Sequence, residues 1–256
     1  MRKVLLFILC LFILPGCSDD LFQKSEKEDE IIVSAATSLT DVMKELREAY
    51  KDVDPSTELT FNFGSSGKLA QQIQQGAQAD IFLSADQTRM DMLDEQELIA
   101  SGTRTNFATN ELVLIASKDH HFTMNALDEL PSLGVQKIAI GNPDNVPAGT
   151  YAKQALQQKE IWDPTLEDTF VYGEDVHQVL TDVKSGKANV GFVFSSAITH
   201  ADNVEIILRI DAGLHEDIVY PAGVTSYSLN NKKARDFISF LKSDEALSIF
   251  RSFGFN

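Results

Sequence analysis

Gly64-Ser65-Ser66-Gly67 joins an alternating apolar run to a helical pattern in "FNFGSSGKLAQQIQQG", residues 61–76. Two kinds of chemistry use serines in such a place. A nucleophilic serine on a strand-to-helix elbow needs Gly-x-Ser-x-Gly, and here the second glycine comes one position early, so the hydrolase pattern fails. Anion capture asks for less, because the first N–H groups of a helix have no internal acceptor and point outward. Similar junctions recur: Thr37-Ser38 follows a β-branched run and opens a helix, "VPAG" (146–149) precedes a third helix, and "GEDV" (173–176) a fourth. Ligands of α/β sheets gather at the carboxyl ends of the strands, so four such helix starts can converge on one small oxyanion held by dipoles and neutral donors. Each can equally be an ordinary helix cap, since Ser, Thr and Asp are favoured there.

Other chemistries find little support. His120 and His121 are adjacent and cannot both face one metal from a helix, while the "HED" at 215–217 lacks a helical partner histidine. Neither a Walker-type phosphate loop nor a Gly-x-Gly-x-x-Gly after a strand is present, so no nucleotide cofactor is indicated.

The elements that must position these residues alternate. "EIIVSAA" reads as a strand, and "TSLTDVMKELREAYK" puts Leu39, Val42, Met43, Leu46 and Tyr50 on one face of a helix. Ser38 and Asp41 have near capping-box spacing, which places the start of that helix near Ser38. "TELTFNF", "ADIFLSAD", "VQKIAIG", "ANVGFVF" and "VEIILRI" read as further strands, and "NELVLIASK" as a buried one. Helices follow at "KLAQQIQQG", "QTRMDMLDEQEL", "TYAKQALQQ", "EDVHQVLTDVKSG" and through the C-terminus. Such alternation implies an α/β architecture with largely parallel sheets.

The chain has 256 residues, 43% hydrophobic and 23% charged, enough for a sizeable core. Its first residues, "MRKVLLFILCLFILPGC", combine two basic residues, an apolar run from Val4 to Leu14 too short to span a membrane, and small residues ending at Cys17. This resembles the signal of bacterial lipoproteins, cut before a cysteine that is then lipidated. Residues 1–16 are thus read as signal and 17–30 as a polar tether, with Cys10 lost and Cys17 lipidated, leaving no disulfide. Formal charge is −16, and loss of Arg2 and Lys3 with the signal leaves 20 basic against 38 acidic residues. So acidic a chain is not a nucleic-acid binder.

Six ordered stretches, "SAATSLTDVMKEL", "FNFGSSGKLAQQI", "GAQADIFLSAD", "GNPDNVPAGTYAKQAL", "EDVHQVL" and "IFRSFGF", resemble the periplasmic molybdate-binding proteins of bacterial ABC importers, from about Ile31 to Phe255. The resemblance implies a two-lobe, class II periplasmic-binding-protein fold: α/β, mixed mainly parallel sheets flanked by helices, with the ligand in the interlobe cleft. Residues 31–111 and 223–256 would form lobe I, and 112–222 lobe II. It also implies a ligand set: hydroxyl and backbone donors from Ser38 and Ser66, backbone N–H groups from Ala148 and Val176, with Thr37 and Ser65 as secondary donors. The family's tyrosine, in a strand ending "GxVY", is matched by Phe194 in "GFVFSS". Either Ser195 or Ser196 then replaces its hydroxyl, or the ligand makes one hydrogen bond fewer. The implied protein is a monomeric, lipid-anchored, extracytoplasmic carrier. It would bring molybdate, and tungstate of nearly the same size, to a permease, without catalysis or a cofactor, molybdenum being present only as the bound oxyanion. Sulfate or another oxyanion is the alternative ligand, and an exported serine hydrolase the alternative class. If the lipid reading holds, Cys17→Ala releases the protein from the membrane fraction into the soluble one; unchanged retention on fractionation refutes the anchor.

Overall fold

The computed structural model describes residues 30–120 and 122–256, so the signal at 1–16 and residues 17–29 of the tether lie outside the described residues. The first strand, β1 (Glu30–Ala36), leads through a 3-10 turn (Thr37–Leu39) into α1 (Thr40–Val53); β2 (Glu58–Gly64), α2 (Ser66–Gln74), β3 (Ile81–Leu83), α3 (Gln87–Glu95) and β4 (Thr105–Thr109) follow. The chain then passes into β5 (Leu112–Ser117), β6 (Ile138–Gly141), α4 (Pro147–Gln158), the single turn α5 (Pro164–Glu167), β7 (Phe170–Gly173), α6 (Val176–Lys184), β8 (Val190–Phe194) and β9 (Val204–Arg209). It returns through β10 (Val219–Val224) and ends in α7 (Asn231–Phe240) and α8 (Asp244–Ser252).

Among the described residues two five-stranded sheets form, in the orders β2-β1-β3-β10-β4 and β7-β6-β8-β5-β9. Both are mixed and flanked by helices. Parallel pairings equal rather than outnumber antiparallel ones, because β1 pairs parallel with β2 and β3, and β6 with β7 and β8, while β10 and β5 run antiparallel to their neighbours. β10 and β5 open after the two interlobe crossings, so each enters its sheet against the direction of the β-α-β units. The lobe boundary expected at 222 falls inside β10, which belongs wholly to the first sheet; the return crossing therefore precedes Val219.

The local patterns account for most elements. In α1, Val42, Met43, Leu46 and Tyr50 are buried at helical spacing, and the Tyr50 ring meets Phe237 and Phe240 at 5.0 and 5.1 Å. All six residues of β5 are buried, as its unbroken apolar run requires. β2 lies at a sheet edge, which explains why its alternation is only half-buried, with Phe61 and Phe63 stacked at 5.4 Å. One start differs from the sequence reading: α1 begins at Thr40 with Leu39 at its N-cap, and no side chain caps it. Ser38 lies in the preceding 3-10 turn and is free for other work. Another helix, α4, begins earlier than its apolar pattern, at Pro147, whose fixed φ suits a first helical position and whose missing N–H would have no partner there anyway.

Close packing fixes where the helix starts sit. α6 lies so near β8 and β6 that a Cβ on Gly191 would stand 2.7 Å from Val183 Cγ2, 3.1 Å from Val179 Cγ1 and 3.3 Å from Ala139 Cβ. Gly191→Ala should therefore destabilise the fold by about 1–3 kcal/mol through overpacking, read as a lower urea midpoint with an unchanged slope.

Candidate functional site

The register of the parallel strands sets the site. β1 and β2 run level, Ala36 opposite Gly64, so Thr37-Ser38 and Ser65-Ser66 emerge side by side from the end of the first sheet. In the second sheet Gly141 pairs with Gly173, which places the turns into α4 and α6 side by side in the same way. α4 is drawn tightly onto its strand, a Cβ on Gly149 falling 1.9 Å from the Gly141 carbonyl oxygen.

These four junctions face one another across the cleft. A single small cavity is lined by Thr37, Ser38, Ser65 and Ser66 from the first lobe, and by Ala148, Asp175, Val176 and Phe194 from the second. The space enclosed is small, about 10 Å³, the room of roughly one water. Neither lysine, arginine nor histidine among the described residues lines it. Among the described residues no cluster of His, Cys, Asp or Glu is arranged to hold a metal ion.

The hydroxyls are not caps. Ser65 occupies the N-cap of α2, yet its side chain makes no capping bond, and neither α1 nor α4 is capped by a side chain. At α6 the cap is real: Asp175 accepts from the Gln178 N–H at 2.9 Å, so its carboxylate is turned toward its own helix. Ser66 Oγ accepts from the Ala85 N–H at 3.0 Å, and Ser38 Oγ accepts from the Tyr220 hydroxyl at 3.1 Å, so each keeps its own proton to give. Thr37 Oγ1 and Ser65 Oγ are buried and have no hydrogen-bond partner among the described residues. The N–H groups of Ala148 and Val176 lie in the first turns of α4 and α6, where no intrahelical acceptor exists.

Sequence reasoning placed one residue wrongly and missed two. Ser195 does not line the cavity: the 3-10 turn at Ser195–Ile198 carries its hydroxyl to Asn110 Oδ1, 2.9 Å away, and Ser196 Oγ accepts from Asn110 Nδ2 at 2.8 Å. Neither serine lines the cavity beside Phe194, whose ring is buried 6.1 Å from that of Tyr220 and 6.3 Å from that of Tyr151. Tyr220 and Asn110 were not singled out. Tyr220 is fully buried, burial pushes its phenol well above the ordinary value, and it stays protonated. A tyrosine inside the apolar run of β10 was the available signal, since a buried phenol needs a partner.

The lobes touch at the rim. Gly67 N–H donates to the Asn145 carbonyl at 3.0 Å, His177 Nε2 to the Thr37 carbonyl at 3.0 Å, and the Arg89 guanidinium to the Asp144 carbonyl. Lys68 and Glu174 pair across the rim at 2.6 Å, exposed and worth little. Gly67 is tightly constrained: a Cβ there would meet Asn145 Cα at 2.7 Å and its carbonyl oxygen at 2.8 Å.

Comparison with known proteins agrees with this architecture. The chain is 35% identical to the Escherichia coli molybdate-binding protein ModA over 89% of each chain. It is also 35% identical to a Bacillus subtilis protein provisionally named as an ABC transporter substrate-binding lipoprotein, over 99% of this chain and 98% of that one. Its fold superposes on the periplasmic molybdate-binding protein of Azotobacter vinelandii with a TM-score of 0.80 and 28% identity, covering 88% of this chain and 98% of that one. The family model described as bacterial extracellular solute-binding protein matches residues 31–256, and the chain belongs to that family.

Proposed function

We propose that this protein captures molybdate, and tungstate comparably, in the cleft between its lobes and delivers it to the permease of an ABC importer, working as a monomer tethered by lipid on Cys17. The observation that carries the reading is the cavity of buried donors that lack acceptors: Thr37 Oγ1 and Ser65 Oγ without partners, Ser38 and Ser66 with protons to give, and the first N–H groups of α4 and α6. A buried donor without a partner costs about 1–3 kcal/mol, so a set of them calls for an acceptor-rich ligand. A small tetrahedral oxyanion supplies four acceptor oxygens and two negative charges. Molybdate is favoured among such anions by the 35%-identical relative named for that ligand.

Ser38 and Ser66 hydroxyls, with the Ala148 and Val176 N–H groups, form the primary donor set, and Thr37 and Ser65 supply the further hydroxyls. These two stand in for the hydroxyl that Phe194 cannot give. All are neutral, and the helix N-termini add their partial positive charge. A site dominated by donors disfavours hydrogen phosphate, whose remaining proton would need an acceptor, the one carboxylate in the lining, Asp175, being engaged by the Gln178 N–H of its own helix; sulfate is fully deprotonated and is discriminated by size. A hydrolytic role for Ser66 has little support: its Oγ is bonded to the Ala85 N–H, no histidine or lysine among the described residues lines the cavity, and the Asp175 carboxylate there is engaged by the Gln178 N–H.

Calorimetry of the chain lacking its signal should show molybdate and tungstate binding with sulfate and phosphate far weaker; equal affinity for sulfate overturns the molybdate assignment. Ser66→Ala should weaken molybdate binding about tenfold or more, the scale of one hydrogen bond to a charged group. Gly67→Ala tests closure separately. Its methyl group meets the Asn145 backbone only when the lobes are together, so Kd should rise about five- to hundredfold while the Tm of the ligand-free protein stays within a degree or two.

A further inference from the structure

We infer that Tyr220, held by Asn110, is a positioning residue that keeps the Ser38 hydroxyl turned as a donor toward the bound oxyanion. This rests on the oxyanion reading above and adds residues that the four helix starts do not contain.

The argument follows the direction of each hydrogen bond. Asn110 Oδ1 accepts from the Glu111 N–H at 2.9 Å and from Ser195 Oγ at 2.9 Å. A backbone N–H can only donate, so that contact fixes which end of the amide is oxygen. The other end is then a donor, and Nδ2 gives hydrogen bonds to Ser196 Oγ at 2.8 Å and to the Tyr220 hydroxyl at 3.2 Å. With a lone pair of its oxygen so engaged, Tyr220 sends its single proton to Ser38 Oγ, 3.1 Å away. Ser38 has one proton and receives one, so its remaining hydrogen is free for the cavity it lines. The polarity runs one way from Asn110 to the ligand.

Without Tyr220 the Ser38 hydroxyl could rotate, and it could accept as well as donate. Tyr220 therefore does two things for the site. It removes the rotational freedom that ligand binding would otherwise have to freeze, and by occupying one of the two lone pairs of the hydroxyl it favours the orientation that donates to the anion over one that accepts from a protonated anion. Nothing about Phe194 supplies either effect, since its ring packs against the Tyr220 ring and ends in carbon. The relay spans the crossings as well: Asn110 sits in the outward crossing between β4 and β5, and Tyr220 is the second residue of the returning strand β10. Its geometry is thus set where the two lobes join.

The test is a double-mutant cycle by calorimetry, using Tyr220→Phe, Ser38→Ala and the double variant, with molybdate and phosphate as ligands and the ligand-free Tm recorded for each. Phenylalanine keeps the buried ring and removes only the hydroxyl. In an otherwise unchanged chain, Tyr220→Phe should weaken molybdate binding about five- to tenfold and narrow the ratio of molybdate to phosphate affinity. In the Ser38→Ala background the same change should cost less than twofold, because the group it orients is gone. Equal losses in both backgrounds, or an unchanged molybdate-to-phosphate ratio, overturn the inference and leave Tyr220 a packing residue. If the unaltered protein prefers sulfate, the cycle is run with sulfate: the molybdate assignment then fails while the relay is judged by the same coupling. Binding of none of these anions overturns both.

Discussion

Burying hydrogen-bond donors without acceptors is the constraint on which this structure turns. A globular protein ordinarily avoids it, because a buried polar group left unpaired forfeits its hydration and gains nothing in return. Here two buried hydroxyls are unpaired, two more have protons left to give, and two helix N-termini point at the same small volume. Both unpaired hydroxyls lie in this one cavity, where a single acceptor-rich group can meet them together; the other buried polar atom without a partner among the described residues, His215 Nε2, lies elsewhere. An anion that supplies those acceptors, as proposed above, would therefore favour the arrangement in which the lobes are together.

The fold explains how donors from positions as far apart as 37 and 176 reach one point. Each lobe contributes a pair of parallel strands that end level with one another, Ala36 beside Gly64 and Gly141 beside Gly173. In parallel sheets every following helix starts at the same edge, so two neighbouring helices deliver their N-termini together. Antiparallel strands serve the hinge instead. β5 and β10 begin just beyond the crossings, and the C-terminus joins them, with Asn256 and Thr109 exchanging backbone hydrogen bonds of 2.8 and 3.0 Å. Small residues then allow the pieces to approach: Gly149 against β6 and Gly67 against the opposite lobe. The glycine after Ser66 thus serves close contact between the lobes.

Much of this was legible in the chain, but unevenly. Strand-then-helix junctions carry local signals, so Ser38, Ser66, Ala148 and Val176 could be named from their motifs, and the structure gathers all four around one cavity. Buried strands such as β5 announce themselves by unbroken apolar runs. The sequence does not signal β4 or β7, because polar residues interrupt "TNFAT" and "FVYG" lacks the Ile or Leu residues that mark the equally short β3 and β6. The start of α1 was misjudged because a 3-10 turn intervenes, and a capping-box spacing cannot distinguish a turn from a helix. Ser195 was misplaced for a related reason, its hydroxyl being carried round toward Asn110 by another 3-10 turn. The contact between Ser38 and Tyr220 joins residues 182 apart, and no local pattern encodes it. What decided it was the return of β10 into the first sheet, a property of topology.

The acidity of the chain also takes on a definite meaning. A formal charge of −16 repels anions at long range, but at physiological ionic strength that repulsion fades within about 8 Å, and the cavity sits beneath the surface that carries it. At contact distance the local dipoles decide. A lysine in the cavity would attract any small anion by charge, with little regard to shape. Neutral donors reward only an anion whose oxygens meet several of them at once, since each bond depends on distance and angle. Selectivity therefore has to be built from rigidity: helix starts fixed by close packing, Ser66 held by the Ala85 amide, and Ser38 held by Tyr220. Affinity without a cation is available only to a site whose donors are already aimed before the ligand arrives.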